Sequence, residues 1–133
     1  MAAVRSRGNK ETEVKMAKLL RSAGLTGWRR HQPVKGNPDF VFRRERIALF
    51  VDGCFWHGCP QHCRMPAANR SYWQSKILRN TVRDRKTTRT LKAAGWKVIR
   101  VWSHALRNPQ AITARIISEL NLARRRYKHI GNI

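Results

Sequence analysis

Acidic residues are scarce in this sequence: seven Asp and Glu stand against 29 Lys and Arg, a net charge of +22 over 133 residues. That imbalance calls for a polyanionic partner, and nucleic acid is the leading one. Long apolar runs are missing too. None approaches the roughly 18–20 residues that span a bilayer, and Met1-Ala2-Ala3-Val4-Arg5 lacks the apolar centre of a signal peptide. No amphipathic basic anchor stands out, so an anionic membrane is the weaker polyanion. Cysteine is limited to three residues, which cannot all pair within the chain. The compartment is read as cytoplasmic, where clustered Cys with His points to a metal before a disulfide.

What is present supports a folded protein. The chain is 41% hydrophobic, enough for a core, and its length suits one domain rather than two. The scarcity of acids makes each one informative. A carboxylate facing DNA weakens binding by repelling phosphates, so an acid there is expected to do something specific, such as holding a metal ion.

Taken in order, residues 1–8 read as a flexible basic tail. Asn9 to Ala23 reads as a helix with Val14, Met16, Ala17, Leu19 and Leu20 on its apolar stripe, stopped by Gly24. Glu11 and Glu13 sit in its first turns, where the helix dipole favours them; for Glu13 an active-site role is an equal alternative. Trp28 to His31 reads as a short strand. Lys35-Gly36-Asn37-Pro38 is turn chemistry, and Asp39 opens the strand Asp39–Phe42. Arg43 to Arg46 makes a hairpin connection into Ile47–Val51, a continuous apolar run expected as a buried strand. A long helix from about Ser71 to Ala94 follows, with Ile77, Leu78, Val82 and Leu91 inward. Then come a strand from Trp96 to Trp102 and a last helix opened by Asn108-Pro109. From Ala123 a second basic tail is expected to be flexible, or ordered only on DNA. The order predicts one α/β domain over 1–133 with a mixed central sheet flanked by helices.

One stretch concentrates the chemistry: Val51-Asp52-Gly53-Cys54-Phe55-Trp56-His57-Gly58-Cys59-Pro60-Gln61-His62-Cys63. It holds all three cysteines with two histidines, the donors a tetrahedral zinc takes. Cys54, Cys59 and His62 are the expected ligands. His62 is preferred over neighbouring Cys63 because its spacing from Cys59 is a common ligand gap. His104, after the strand ending at Trp102, is the remote fourth. Four protein ligands leave no open position for water, so this zinc is expected to be structural. His57 falls outside the ligand spacing and is left for proton transfer near neutral pH. Asp52 and Asp84 could orient it or a water, or simply offset nearby arginines. Asp39 reads either as a turn aspartate or as a carboxylate for magnesium, which takes oxygen ligands and can neutralise charge on an attacked phosphate. Phe55, Trp56 and Trp73 are core aromatics or wedges for a partner. Adjacent Phe-Trp cannot both point inward from extended backbone.

These motifs resemble the very short patch repair (Vsr) endonuclease family. The resemblance rests on Gly36-Asn37-Pro38-Asp39-Phe40, on the run from Phe50 to Pro60, on Tyr72-Trp73, on Asn80 with Arg83-Asp84, and on Gly95-Trp96-Lys97-Val98 leading to Val101-Trp102. It covers about Arg5 to Leu122. It implies a restriction-endonuclease-like core, a structural zinc loop, and a magnesium-dependent nick beside the thymine of a T·G mismatch left by 5-methylcytosine deamination. By position it implies Asp39 for magnesium together with the Val51 carbonyl, His57 as the catalytic histidine, Glu13 as its supporting glutamate and Asp84 as an acid near it. Phe55, Trp56 and Trp73 would intercalate. The implied partners are mismatched duplex DNA, a cytosine-5 DNA methyltransferase system and mismatch-repair proteins, with the protein a monomer associated with a bacterial nucleoid.

Three residues depart from the pattern. The best-known member has His at the position of Cys59, Cys at that of His104, and a second histidine at that of Asp52, which puts a helper base there in doubt. Two rivals remain: a non-catalytic zinc-containing DNA-binding module, and a related nuclease for other DNA structures. Magnesium-dependent cleavage separates the first, and comparison of matched, mismatched and branched duplexes the second.

Overall fold

The central strand is the best guide to the architecture. The computed structural model describes residues 10–54 and 67–131. In it β3 (Ile47–Asp52) is buried along its whole length, as a run apolar on both faces must be. It pairs antiparallel with β2 (Phe40–Phe42), which pairs antiparallel with β1 (Trp28–Arg30). On its other side it runs parallel to β4 (Lys97–Trp102), with Phe50 opposite Arg100 and Asp52 opposite Trp102. The result is a mixed four-stranded sheet in the order β1-β2-β3-β4.

Parallel neighbours need a crossover, and α2 (Arg70–Ala93) supplies it. It covers one face through Leu91, packed with Ala48, Phe50 and Val98. The other face carries the larger core. There α1 (Lys10–Ser22) and α3 (Pro109–Gly131) bury Met16, Leu20, Ile112, Ile116 and Leu120 against Phe40, Phe42, Leu49 and Ile99. Gly24 and Gly95 end α1 and α2 with φ of +72° and +90°, a conformation glycine adopts without strain. Asn108 Oδ1 accepts from Ala111 N–H at 3.4 Å and caps α3. The chain is thus a single α/β domain with a mixed sheet flanked by helices.

Three expectations need correction. Leu78 and Val82 do not face inward; they are 63% and 54% exposed. The buried side of α2 runs through Ile77, Asn80 and Leu91, and Leu78 and Val82 lie one step around the helix from it. Val14 is likewise 41% exposed although Met16, Ala17 and Leu20 beside it are buried. The chain from Ala123, expected as a flexible tail, continues as α3 to Gly131. Arginine and lysine are good helix formers and suit the negative end of a helix dipole. Residues 1–8 lie outside the described residues. Among those described, no helix is long and apolar enough to cross a membrane.

Candidate active site

The site begins with a turn. Gly36 and Asn37 both have positive φ, +83° and +54°, and fold the chain back just before β2. The turn is pressed against α2: a Cβ on Gly36 would collide with Thr87 Cγ2. Pro38 is fully buried, so the residue after it has a fixed starting point.

That residue is Asp39. Its Oδ2 accepts the Val51 N–H at 2.7 Å, across the β2–β3 hairpin. Burial disfavours its ionised form, the Val51 hydrogen bond favours it, and the negative charge of Glu13, a hydrogen bond with the Glu13 carboxyl and the charge of Asp52 disfavour it again. The balance raises the Asp39 pKa from 3.8 to about 7.

Glu13 arrives from the first turns of α1 with a side chain only 10% exposed. Its Oε2 accepts from Arg30 Nη2 at 2.8 Å and lies 3.2 Å from His31 Nε2. Arg30 ends β1, with its guanidinium 5.8 Å from the Phe40 ring centroid. His31 takes a left-handed backbone, φ +52°, as the chain leaves the strand. Reading the sequence did not single out Arg30 or His31. Their contact with Glu13 spans 17 and 18 positions and depends on β1 lying at the sheet edge beside α1.

Asp52 ends β3 on the side facing α2. Both its carboxylate oxygens accept from Arg100 Nη1, at 3.0 and 3.1 Å. Arg100 also donates from Nε to Thr88 Oγ1 at 2.9 Å and from Nη2 to the Asp84 carbonyl at 3.4 Å. Its guanidinium sits 4.1 Å from the Phe50 ring centroid. Of the two readings of Asp52, offsetting an arginine is the one this geometry contains. The signal for Arg100 was available: a lone charge inside Val98-Ile99-Arg100-Val101 must share the Val98 face.

Cys54 and His104 meet. The sulfur lies 3.2 Å from His104 Nδ1 and 3.2 Å from Ser103 Oγ. Because β3 and β4 are parallel with Asp52 opposite Trp102, residues two beyond each strand end are neighbours. His104 stands in the 3₁₀ turn Ser103–Arg107 that follows β4. Among the described residues no three His, Cys, Asp or Glu side chains converge as a metal-binding group. The other expected zinc ligands, Cys59 and His62 (with its rival Cys63), lie outside the described residues. So do His57, Phe55 and Trp56. Trp73, in the first turn of α2, is half-buried and packs edge-on to Tyr72, ring centroids 5.0 Å apart. Asp84 is half-buried on α2 and borders a groove with Arg100.

Comparison with known proteins agrees over most of the chain. A family model described as "DNA mismatch endonuclease Vsr" matches residues 1–65. The "DNA mismatch endonuclease Vsr" of Escherichia coli strain K12 is 36% identical over 110 residues, covering 80% of this chain and 69% of that protein. The "Type II nicking enzyme V.XorIIP" of Xanthomonas oryzae pv. oryzae is 39% identical over 119 residues, 87% of this chain and 85% of that one. The "Type II nicking enzyme V.NaeI" of Lentzea aerocolonigenes is 52% identical over 71 residues, 53% of this chain, and the chain spans only 43% of its length.

Proposed function

The chain belongs to the Vsr family and is a DNA endonuclease, and we propose that it nicks one strand beside the thymine of a T·G mismatch in a magnesium-dependent reaction. The observation that carries this reading is Asp39. A buried carboxyl at the mouth of one strand, tied to the Val51 N–H and beside the negative charge of Glu13, is poorly served by its own surroundings.

The donor set fits magnesium. Asp39 and the Val51 carbonyl are hard oxygen donors, and a cation would replace the proton that burial holds on Asp39. Bound there, it would neutralise charge building on the attacked phosphate. Glu13, held by Arg30 and His31, fixes the Asp39 carboxyl from the side of α1. His57 follows β3 by five residues and is assigned to take the proton of the attacking water. Asp84 is assigned to the same neighbourhood. Phe55, Trp56 and Trp73 enter the duplex. Unstacking a base step costs roughly a few kcal/mol and costs least at a mismatch, which favours T·G over paired DNA.

A structural zinc also fits. Cys54 and His104 are a thiol and an imidazole brought together from distant positions, and Cys59 and His62 would complete four ligands. Such an ion would brace the segment that carries the aromatics and His57.

The test is nicking of matched, mismatched and branched duplexes, with and without magnesium. The reading expects magnesium-dependent nicking at T·G, lost in Asp39→Ala and in His57→Ala while binding is largely kept. Full activity in either variant would refute the assignment. Equal nicking of branched and T·G duplexes would favour the related nuclease for other DNA structures.

A further inference from the structure

Beside the site, α2 and β4 enclose a groove of about 430 Å³ lined by Asp84, Arg85, Thr88, Arg89 and Arg100. We infer that this groove is a second phosphate subsite, which seats a DNA backbone phosphodiester next to the one that is cut. The inference rests on the chain acting on DNA.

Four features point to a phosphate. The lining carries three arginines and one acid. Arg100 is already ordered by Asp52, Thr88, the Asp84 carbonyl and the Phe50 ring, so little freedom is lost when a ligand uses it. Its charge is offset by Asp52, so the net attraction comes from Arg85 and Arg89, which are both exposed. Thr88 Oγ1 accepts from Arg100 Nε, and among the described residues its own O–H has no acceptor. The groove therefore offers, around a fixed guanidinium, a hydroxyl and two exposed cations with no ion-pair partner among the described residues, the set a tetrahedral oxyanion takes.

An exposed arginine on a helix is ordinarily just solvated. Here Arg85 and Arg89 stand four apart on one side of α2 and flank a recess rather than a bare ridge. Arg100 also ties the recess to Asp52, adjacent in sequence to Val51, whose N–H holds Asp39. Asp52 and the β3 backbone at Val51 thus link the groove to the proposed cleavage centre while holding the two apart. A neighbouring phosphate of the same strand is the ligand such a separation suits, and holding it would set the register of the scissile one.

The test is equilibrium binding of the full chain to short T·G and matched duplexes without divalent cation. Arg85→Gln with Arg89→Gln should weaken binding about tenfold at low salt. It should also flatten the plot of log affinity against log salt by about 0.9, the loss of one phosphate contact. Arg79→Gln with Lys86→Gln, the same charge change on the outward side of α2, should change that slope less. Methylphosphonates are then placed singly along both strands. One position near the nick should weaken the parent protein and leave the groove variant unaffected. An unchanged slope, an equal change in the outward pair, or the same methylphosphonate profile in parent and groove variant would overturn the subsite. Binding needs no cleavage, so failure to nick T·G would count against the mismatch reading and leave this result standing. In nicking assays the groove variant should show a raised KM with kcat unchanged.

Discussion

Asp39 and Asp52 stand close together at the same end of the sheet, and their company differs. Asp52 has both oxygens on the Arg100 guanidinium. Asp39 has a backbone N–H on one oxygen and another acid beside it. A buried charge must be matched or it will be given up. Asp52 is matched within the fold by Arg100 and carries structure. Burial keeps a proton on Asp39 up to about pH 7, and the carboxylate beneath it is available to something that comes from outside. The chain spends one of its few acids on holding its own frame and points the other at a ligand.

The largest expected effect tests that division through activity. Asp39→Asn keeps the shape and removes the charge. If Asp39 serves a cation at the phosphate, nicking of a T·G duplex should fall on the order of a thousandfold or more, since metal stabilisation of the transition state amounts to several kcal/mol. Asp52→Asn should cost far less per folded molecule. Single-turnover nicking of both variants, normalised to the folded fraction, checks the ordering. Equal losses would erase the distinction.

Stability should rank the two the other way. Asp52→Asn leaves Arg100 without its carboxylate in a spot where the two side chains are only 22% and 10% exposed. Breaking such a partly buried pair costs about 2–3 kcal/mol, roughly 10 °C in melting temperature for a domain this size. Asp39→Asn relieves repulsion with Glu13 and should not lower the melting temperature at pH 8. Thermal unfolding of both variants decides it, and a larger loss in Asp39→Asn would break the comparison.

Much of this frame could be read from the sequence. The run Ile47–Val51 is apolar at every position, so a strand covered on both faces followed directly, and Gly24 and Gly95 marked two helix ends. Asp39 stood out because an acid after Gly-Asn-Pro in so basic a chain needs a reason. The contacts that define its state did not stand out. Glu13 reaches Arg30 and His31 only because the edge strand and α1 pack together, and no local spacing encodes that. Leu78 and Val82 look inward-facing by composition, yet helical phase turns them outward. Arg100 was partly legible: strand alternation fixed its face, but the parallel register that brings it to Asp52 is a tertiary fact.

A smaller effect sharpens the contrast through pH. The Asp39 pKa is raised from 3.8 to about 7 when the chain folds, burial being the largest cause. Between those values the unfolded chain has released the proton and the folded chain still holds it. Stability of the metal-free protein should therefore fall as pH rises from about 4 to about 7 and level off above. Asp39→Asn removes that decline, so its melting temperature should exceed the parent's by a few degrees at pH 8, and the gap should close toward pH 4. Parallel curves for the two proteins would mean that Asp39 does not carry the shifted proton.

The smallest expected effect uses magnesium itself. A ligand that binds only the folded chain stabilises it by RT ln(1 + [L]/Kd), about 1.4 kcal/mol at ten times Kd. Magnesium must displace the proton that burial holds on Asp39, so its benefit should be full at pH 8, where that proton is already leaving. It should be much reduced at pH 5.5. Asp39→Asn should lose it at both, while Asp52→Asn should keep most of it from a lower starting stability. Melting curves across a magnesium series at the two pH values separate these cases. If Asp52→Asn loses the magnesium response and Asp39→Asn retains it, the roles of the two acids have been assigned the wrong way round.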